Sequence, residues 1–145
     1  MSATADHAEE RTNQAARLGF EPGQVVQEIG YDDDVEQELR ESIEAVIGQE
    51  LVDEDYEDVA DAVLLWFRDE DGDLTDALVD AIGLIDEGGV VWLLTPKTGR
   101  DGYVEPSDIN EAAQTSGLSQ TRSVNAGKDW TGSRLVTPKA AKSKR

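Results

Sequence analysis

Residues 58–97, DVADAVLLWFRDEDGDLTDALVDAIGLIDEGGVVWLLTPK, hold two apolar runs, Val59–Phe67, broken only by Asp61, and Val90–Leu94. Each is far shorter than a membrane span and rich in Val, Leu and Trp. A strand apolar at nearly every position has both faces buried, as in a sheet with helices above and below it. Between the runs, Leu74, Leu78, Ile82 and Ile85 recur at intervals of four, four and three, which sets them on one side of a helix. Strand, helix, strand predicts a βαβ unit with its two strands parallel.

Upstream, Glu21-Pro22-Gly23 reads as a turn and Gln24–Ile29 as a short strand ending at Gly30. Asp32-Asp33-Asp34 then precede a helix with Val35, Leu39, Ile43, Val46 and Ile47 on one face and Glu36, Glu38, Arg40 and Glu41 on the other. Aspartates at the cap and in the first turn accept from free backbone N–H groups and complement the helix dipole, and Gly48 is a natural stop. Residues 48–57 are short and acidic, with room only for a brief edge strand at Leu51-Val52. Downstream, residues 98–103 read as a loop. Residues 104–108 open a third helix, with Ser107 as its cap and Ile109, Ala112 and Ala113 facing inward. Gly117-Leu118 close that helix. Gln120–Val124 and Trp130–Val136 flank the turn-forming residues 125–129 and predict an antiparallel hairpin.

Composition narrows the chemistry. The 145-residue chain has no cysteine, which excludes a disulfide framework, a thiolate nucleophile and a zinc–thiolate site. Its one histidine, His7, sits in residues 1–17, a small, polar stretch without an apolar stripe, and reads as solvated rather than catalytic. That stretch carries acids and no apolar core, so no secretory signal is read and a cytoplasmic location without a membrane span is expected. Net charge is −19, unevenly placed: residues 1–96 carry 4 basic and 27 acidic groups, a net −23, while residues 97–145 carry 9 and 5, a net +4. Such a body repels nucleic acid and anionic lipid. It reads either as a solubility device or as a surface for a protein partner, basic in character, or for a cationic ligand. Lys139, Lys142, Lys144 and Arg145 form a basic tail able to attract nucleic acid only weakly.

The runs ADAVLLWF (60–67) and GGVVWLLTPK (88–97), the helix DINEAAQTSGL (108–118) and the closing pair QTRSV and WTGSRLV are similar to the C-terminal half of class I S-adenosylmethionine-dependent methyltransferases. VVQEIGY (25–31) takes the place of that family's first strand, and the likeness covers most of residues 24–137. The whole chain also resembles small acidic actinobacterial proteins grouped as a domain family of unknown function, which implies no activity. The methyltransferase resemblance implies an α/β fold: a small three-layer Rossmann-like sheet, mainly parallel, with a C-terminal antiparallel hairpin. A single domain over 18–138 is expected, between a flexible arm at 1–17 and the tail at 139–145.

The same resemblance implies S-adenosylmethionine, held over a D-x-G-x-G-x-G loop and by an acid on the ribose. Here the loop is Glu28-Ile29-Gly30-Tyr31-Asp32-Asp33-Asp34, with one glycine and a bulky Tyr where the family's loop is open. The second and third strands are compressed into residues 48–57, leaving Asp53 and Asp55 as equal candidates for the ribose acid. In open α/β sheets ligands sit beyond the carboxyl ends of the strands at the switch point. Three loops are expected to meet there: Gly30-Tyr31-Asp32, Phe67-Arg68-Asp69 and Thr95-Pro96-Lys97. The candidate cofactor-binding set is therefore Gly30, Tyr31, Asp32, Asp53, Phe67, Arg68 and Lys97. No catalytic residue and no metal ligand is assigned: Asp69-Glu70-Asp71-Gly72-Asp73 departs from EF-hand spacing, with Gly at the fourth place and Asp80 at the twelfth. Trp66 and Trp92 read as core, and Trp130 as a half-exposed contact for a partner. The function expected is a non-catalytic binding or regulatory protein that uses its acidic surface and needs no cofactor. The alternative is a methyltransferase in which Asp32 and Asp53 hold the cofactor and Arg68 or Lys97 orients the acceptor.

Overall fold

In the computed structural model, which describes residues 18–137, helices cover both faces of a single sheet. The predicted arm at 1–17 with His7, and the tail at 139–145, lie outside the described residues. The elements are β1 (Val26–Ile29), α1 (Gln37–Ile47), β2 (Ala60–Trp66), a 3-10 turn (Asp69–Asp71), α2 (Leu74–Ile82), β3 (Ile85–Pro96), α3 (Pro106–Ser116), β4 (Ser119–Asn125) and β5 (Trp130–Val136). No helix among the described residues is long and apolar enough to cross a membrane.

The strand order is β1-β2-β3-β5-β4. β1–β2 and β2–β3 are parallel, whereas β3–β5 and β5–β4 are antiparallel. The sheet is therefore mixed, not mainly parallel as expected. The short turn after β4 folds β5 straight back into the place beside β3. One reversed strand between two others makes both of its edges antiparallel.

The apolar run of β2 from Ala62 to Trp66 is explained by its position. Ala62, Leu64 and Trp66 pack under α1 with Leu39, Ile43 and Ile47, while Val63 and Leu65 face α2 and α3 with Leu78, Ile109 and Ala113. Over that stretch a central strand with helices on both sides has no solvent face for a polar residue; Asp61, at the exposed start of the strand, accepts from the Val25 N–H at 2.8 Å.

Four local expectations need correction. α2 ends at Ile82 and Gly83, and Ile85 begins β3 opposite Ala60 instead of completing the helical stripe. The β2–β3 register then jumps to Ala62 opposite Val90, and the extra residues bulge at Gly88-Gly89. α1 begins at Gln37 with Glu36 as an N-cap that makes no side-chain bond, because the preceding aspartates are engaged elsewhere. α3 is opened by Glu105 and Pro106 rather than by Ser107; proline's fixed φ and missing N–H suit the first helical position. Its close is as read: the N–H of Leu118 donates to the Ala113 carbonyl at 2.7 Å, and Leu118 is buried. The short edge strand at Leu51-Val52 is reduced to one parallel bridge, Gln27 to Val52.

Candidate functional site

After β1 the chain passes to α1 on one face, and after β2 it passes to α2 on the other, so the switch point lies between the carboxyl ends of these two strands. Arg68 fills it. Its backbone continues from β2 in extended conformation, and the residue is 7% exposed. Its Nη1 donates to the carbonyls of Gly30 at 2.8 Å and Trp66 at 3.2 Å, tying the two diverging strands together. Nε and Nη2 fork onto the Asp34 carboxylate at 3.1 and 2.5 Å. The Asp71 carboxylate accepts from the Arg68 backbone N–H at 2.9 Å, which closes the 3-10 turn, and lies 3.4 Å from Nη1. The guanidinium also stands over the Trp130 ring, 5.2 Å from its centroid.

Two glycines let the neighbouring loops close on this arginine. Gly30 has φ +83°, and a Cβ there would stand 2.3 Å from the Trp66 carbonyl oxygen, so no other residue allows the loop after β1 to lie against β2. A Cβ on Gly102 would stand 2.9 Å from Cβ of Arg68, so the loop after β3 packs directly on its stem. The carbonyl of Gly102 accepts from the Asp69 N–H at 2.9 Å.

Burial of Arg68 works against its charge, but hydrogen bonding and attraction from Asp34, and then from Asp71, outweigh it and raise its pKa above the ordinary value. The hydrogen bonds from Arg68 hold the Asp34 carboxyl below the usual aspartate value, against a smaller opposing effect of burial. A planar fork on a carboxylate satisfies charge and geometry together, so this pair stays closed at neutral pH.

A second polar cluster lies beside it under α1. Arg40 holds Glu28 bidentately at 2.6 and 2.9 Å, and the Trp66 indole N–H donates to the same carboxylate at 2.9 Å. These bonds to Glu28 are the largest cause of the raised Arg40 pKa. Tyr31 does not enter the switch point. It is 51% exposed, lies under the Arg40 guanidinium at 4.7 Å, and its hydroxyl accepts from Gln37 Nε2 at 3.1 Å.

The structure thus divides the candidate set. Gly30 and Arg68 meet directly. Tyr31 and Asp53 face a neighbouring open cleft of about 380 Å³ at the β1 edge, which Glu28, Arg40 and Glu54 also line. There the Asp53 carboxylate accepts from the Asp55 N–H at 3.0 Å, and Glu54 rather than Asp53 reaches the Gly30 N–H, at 2.9 Å. Asp32 accepts from the Asp33 N–H at 2.7 Å and shapes the turn before α1. Phe67 is buried and faces the other side of the sheet, at the floor of a cleft of about 440 Å³ with Asp69, Asp73, Asp108 and Glu111. Lys97 is tied through its backbone to the Asp129 carbonyl at 2.9 Å and is not among the partners of Arg68.

Asp34, Asp71 and Trp130 were not in the set. Trp130 is 2% exposed, not half exposed: it meets Trp66 edge to face at 4.9 Å, and its indole N–H donates to the Asp34 carbonyl at 2.9 Å. One sequence signal points here, a single basic residue between Arg40 and Lys97 placed directly after the apolar run 62–67. A buried-strand terminus in an acidic chain calls for internal carboxylate partners.

A family model described as a protein of unknown function, DUF3052, matches residues 15–139. An uncharacterised protein of Mycobacterium tuberculosis (strain H37Rv) is 52% identical over 141 residues, covering 97% of this chain and 87% of the relative. Among solved structures, magnesium protoporphyrin IX methyltransferase from Synechocystis PCC 6803, with bound SAM, superposes with a TM-score of 0.52 at 14% identity, over 90% of this chain and 78% of that one. A SAM-dependent methyltransferase from Aquifex aeolicus gives 0.52 at 13% identity, over 87% and 88%. The pyocyanin biosynthetic protein PhzM gives 0.65 at 13% identity, over 88% of this chain but only 54% of that one. At such identities the likeness establishes a methyltransferase-like fold and nothing of activity.

Proposed function

The chain belongs to the DUF3052 family, and from that premise we propose that it is a non-catalytic binding or regulatory protein engaging a basic protein partner through its acidic surface. The observation that carries this reading is the closure of the switch point by Arg68. S-adenosylmethionine does not suit the residues there. Its sulfonium is cationic and would face the Arg68 guanidinium, and the backbone space a glycine loop provides is taken by Gly30 lying against the Trp66 carbonyl. Opening the crevice would strip Arg68 of two carbonyls and a carboxylate, a cost on the order of 3 kcal/mol before any ligand bound.

The cleft between the first turns of α2 and α3 supports the partner side of the reading. Phe67, Leu74, Val104 and Ala112 give it an apolar floor, Asp69, Asp73, Asp108 and Glu111 an acidic rim, and no basic side chain among the described residues lines it. A Lys or Arg side chain from a partner fits such a surface, its aliphatic stem on the floor and its charge at the rim. Capture from extract of the producing cells tests this with wild type beside an Asp69→Lys, Asp108→Lys, Glu111→Lys variant. The reading expects a salt-sensitive partner that the folded variant fails to retain. Capture of the same proteins by both forms, or of none by either, counts against it.

A further inference from the structure

The face of the sheet under α2 and α3 is apolar along Val91, Leu93 and Leu135 and then changes character at the carboxyl end of β3. Thr95 on β3 stands opposite Thr131 on β5, and Ser133 on β5 stands opposite Ser123 on β4. With Tyr103 from the following loop, these side chains line a recess of about 120 Å³ whose other wall is Val104 and Ile109. Thr95 is 2% exposed and Ser133 is 1% exposed, yet neither hydroxyl is hydrogen-bonded to another described residue. Neither oxygen is among the buried polar atoms left without a partner among the described residues, as Gln27 Oε1 is, so both hydroxyls open onto the recess, where an incoming group can pair with them.

We propose that this recess is a binding site for a small neutral polyol. Hydroxyl side chains both donate and accept, so they match a ligand whose own groups do the same. Among the described residues no charged side chain lines the recess, in a chain of net charge −19, so neither an anion nor a cation would find compensation there. The volume corresponds to about four waters at roughly 30 Å³ each, the size of a three- or four-carbon polyol. Its C–H face would lie on Val104 and Ile109 and its hydroxyls on Thr95, Thr131 and Ser133. The inference is independent of the acidic-surface reading and of Arg68.

The test is a titration of the ¹⁵N-labelled full chain with glycerol and erythritol, with glycerol 3-phosphate as the charged comparison. Saturable shifts are expected for both neutral polyols, confined to Thr95, Tyr103, Ser123, Thr131 and Ser133. Thr95→Val and Ser133→Ala should each weaken binding about five- to tenfold, the effect of one neutral hydrogen bond. Neither substitution should lower the melting temperature, because the hydroxyl removed had no protein partner; Ser123→Ala, on the exposed edge strand, provides a third variant if either fails to fold. Absence of saturable shifts with both polyols would mean the recess holds water alone and would overturn the proposal. Unchanged affinity in the variants, or tighter binding of the phosphate ester, would overturn it equally.

Discussion

Arg68 makes the loss of an open crevice a matter of one side chain and its partners. Removing it leaves the Gly30 and Trp66 carbonyls and the Asp34 carboxylate without their donor, so Arg68→Ala should cost about 3 kcal/mol in urea unfolding. Arg68→Lys keeps the charge but not the fork, and about half that loss is expected. The pH dependence follows from Asp34, whose folded pKa is lowered by Arg68. A lowered carboxyl pKa contributes stability that is complete above the ordinary value of 3.8 and is lost as pH falls from there through the folded value. Melting curves of Asp34→Asn should therefore be less sensitive to pH than those of wild type in that acid range. Equal acid sensitivity in both would show that Arg68 does not hold Asp34 in this way.

At the scale of elements, sequence periodicity located β2, α1, α3 and the closing hairpin because each has a burial pattern imposed on nearby residues. It failed where the outcome depended on something farther away. Ile85 fits the helical stripe of α2, but Gly83 ends the helix and pairing with Ala60 recruits Ile85 into β3. Two antiparallel segments are legible as a hairpin, but nothing in their own residues says that β5 rather than β4 lies against β3. α1 is held to the sheet by its apolar face, so Ile43→Ala, at a fully buried position, should cost about 3 kcal/mol in denaturant unfolding. Trp130→Phe retains the ring against Trp66 but loses the bond to the Asp34 carbonyl, and about 1 kcal/mol is expected by the same measurement.

For the whole molecule, charge and glycine content are the grounds for proposing recognition rather than turnover, but they do not tell how the crevice is closed. The bulky Tyr31 is the evident obstruction in the sequence, yet it lies outside, under the Arg40 guanidinium. The closing contact joins Asp34 to Arg68 across 34 positions, a pairing that no local pattern encodes. We propose that the same closure sets this chain apart from the SAM-bound methyltransferase whose fold it resembles at 14% identity. Isothermal calorimetry of the full chain with S-adenosylmethionine tests that distinction most directly: no binding heat is predicted up to a ligand concentration of about 1 mM, and a dissociation constant in the micromolar range would contradict it.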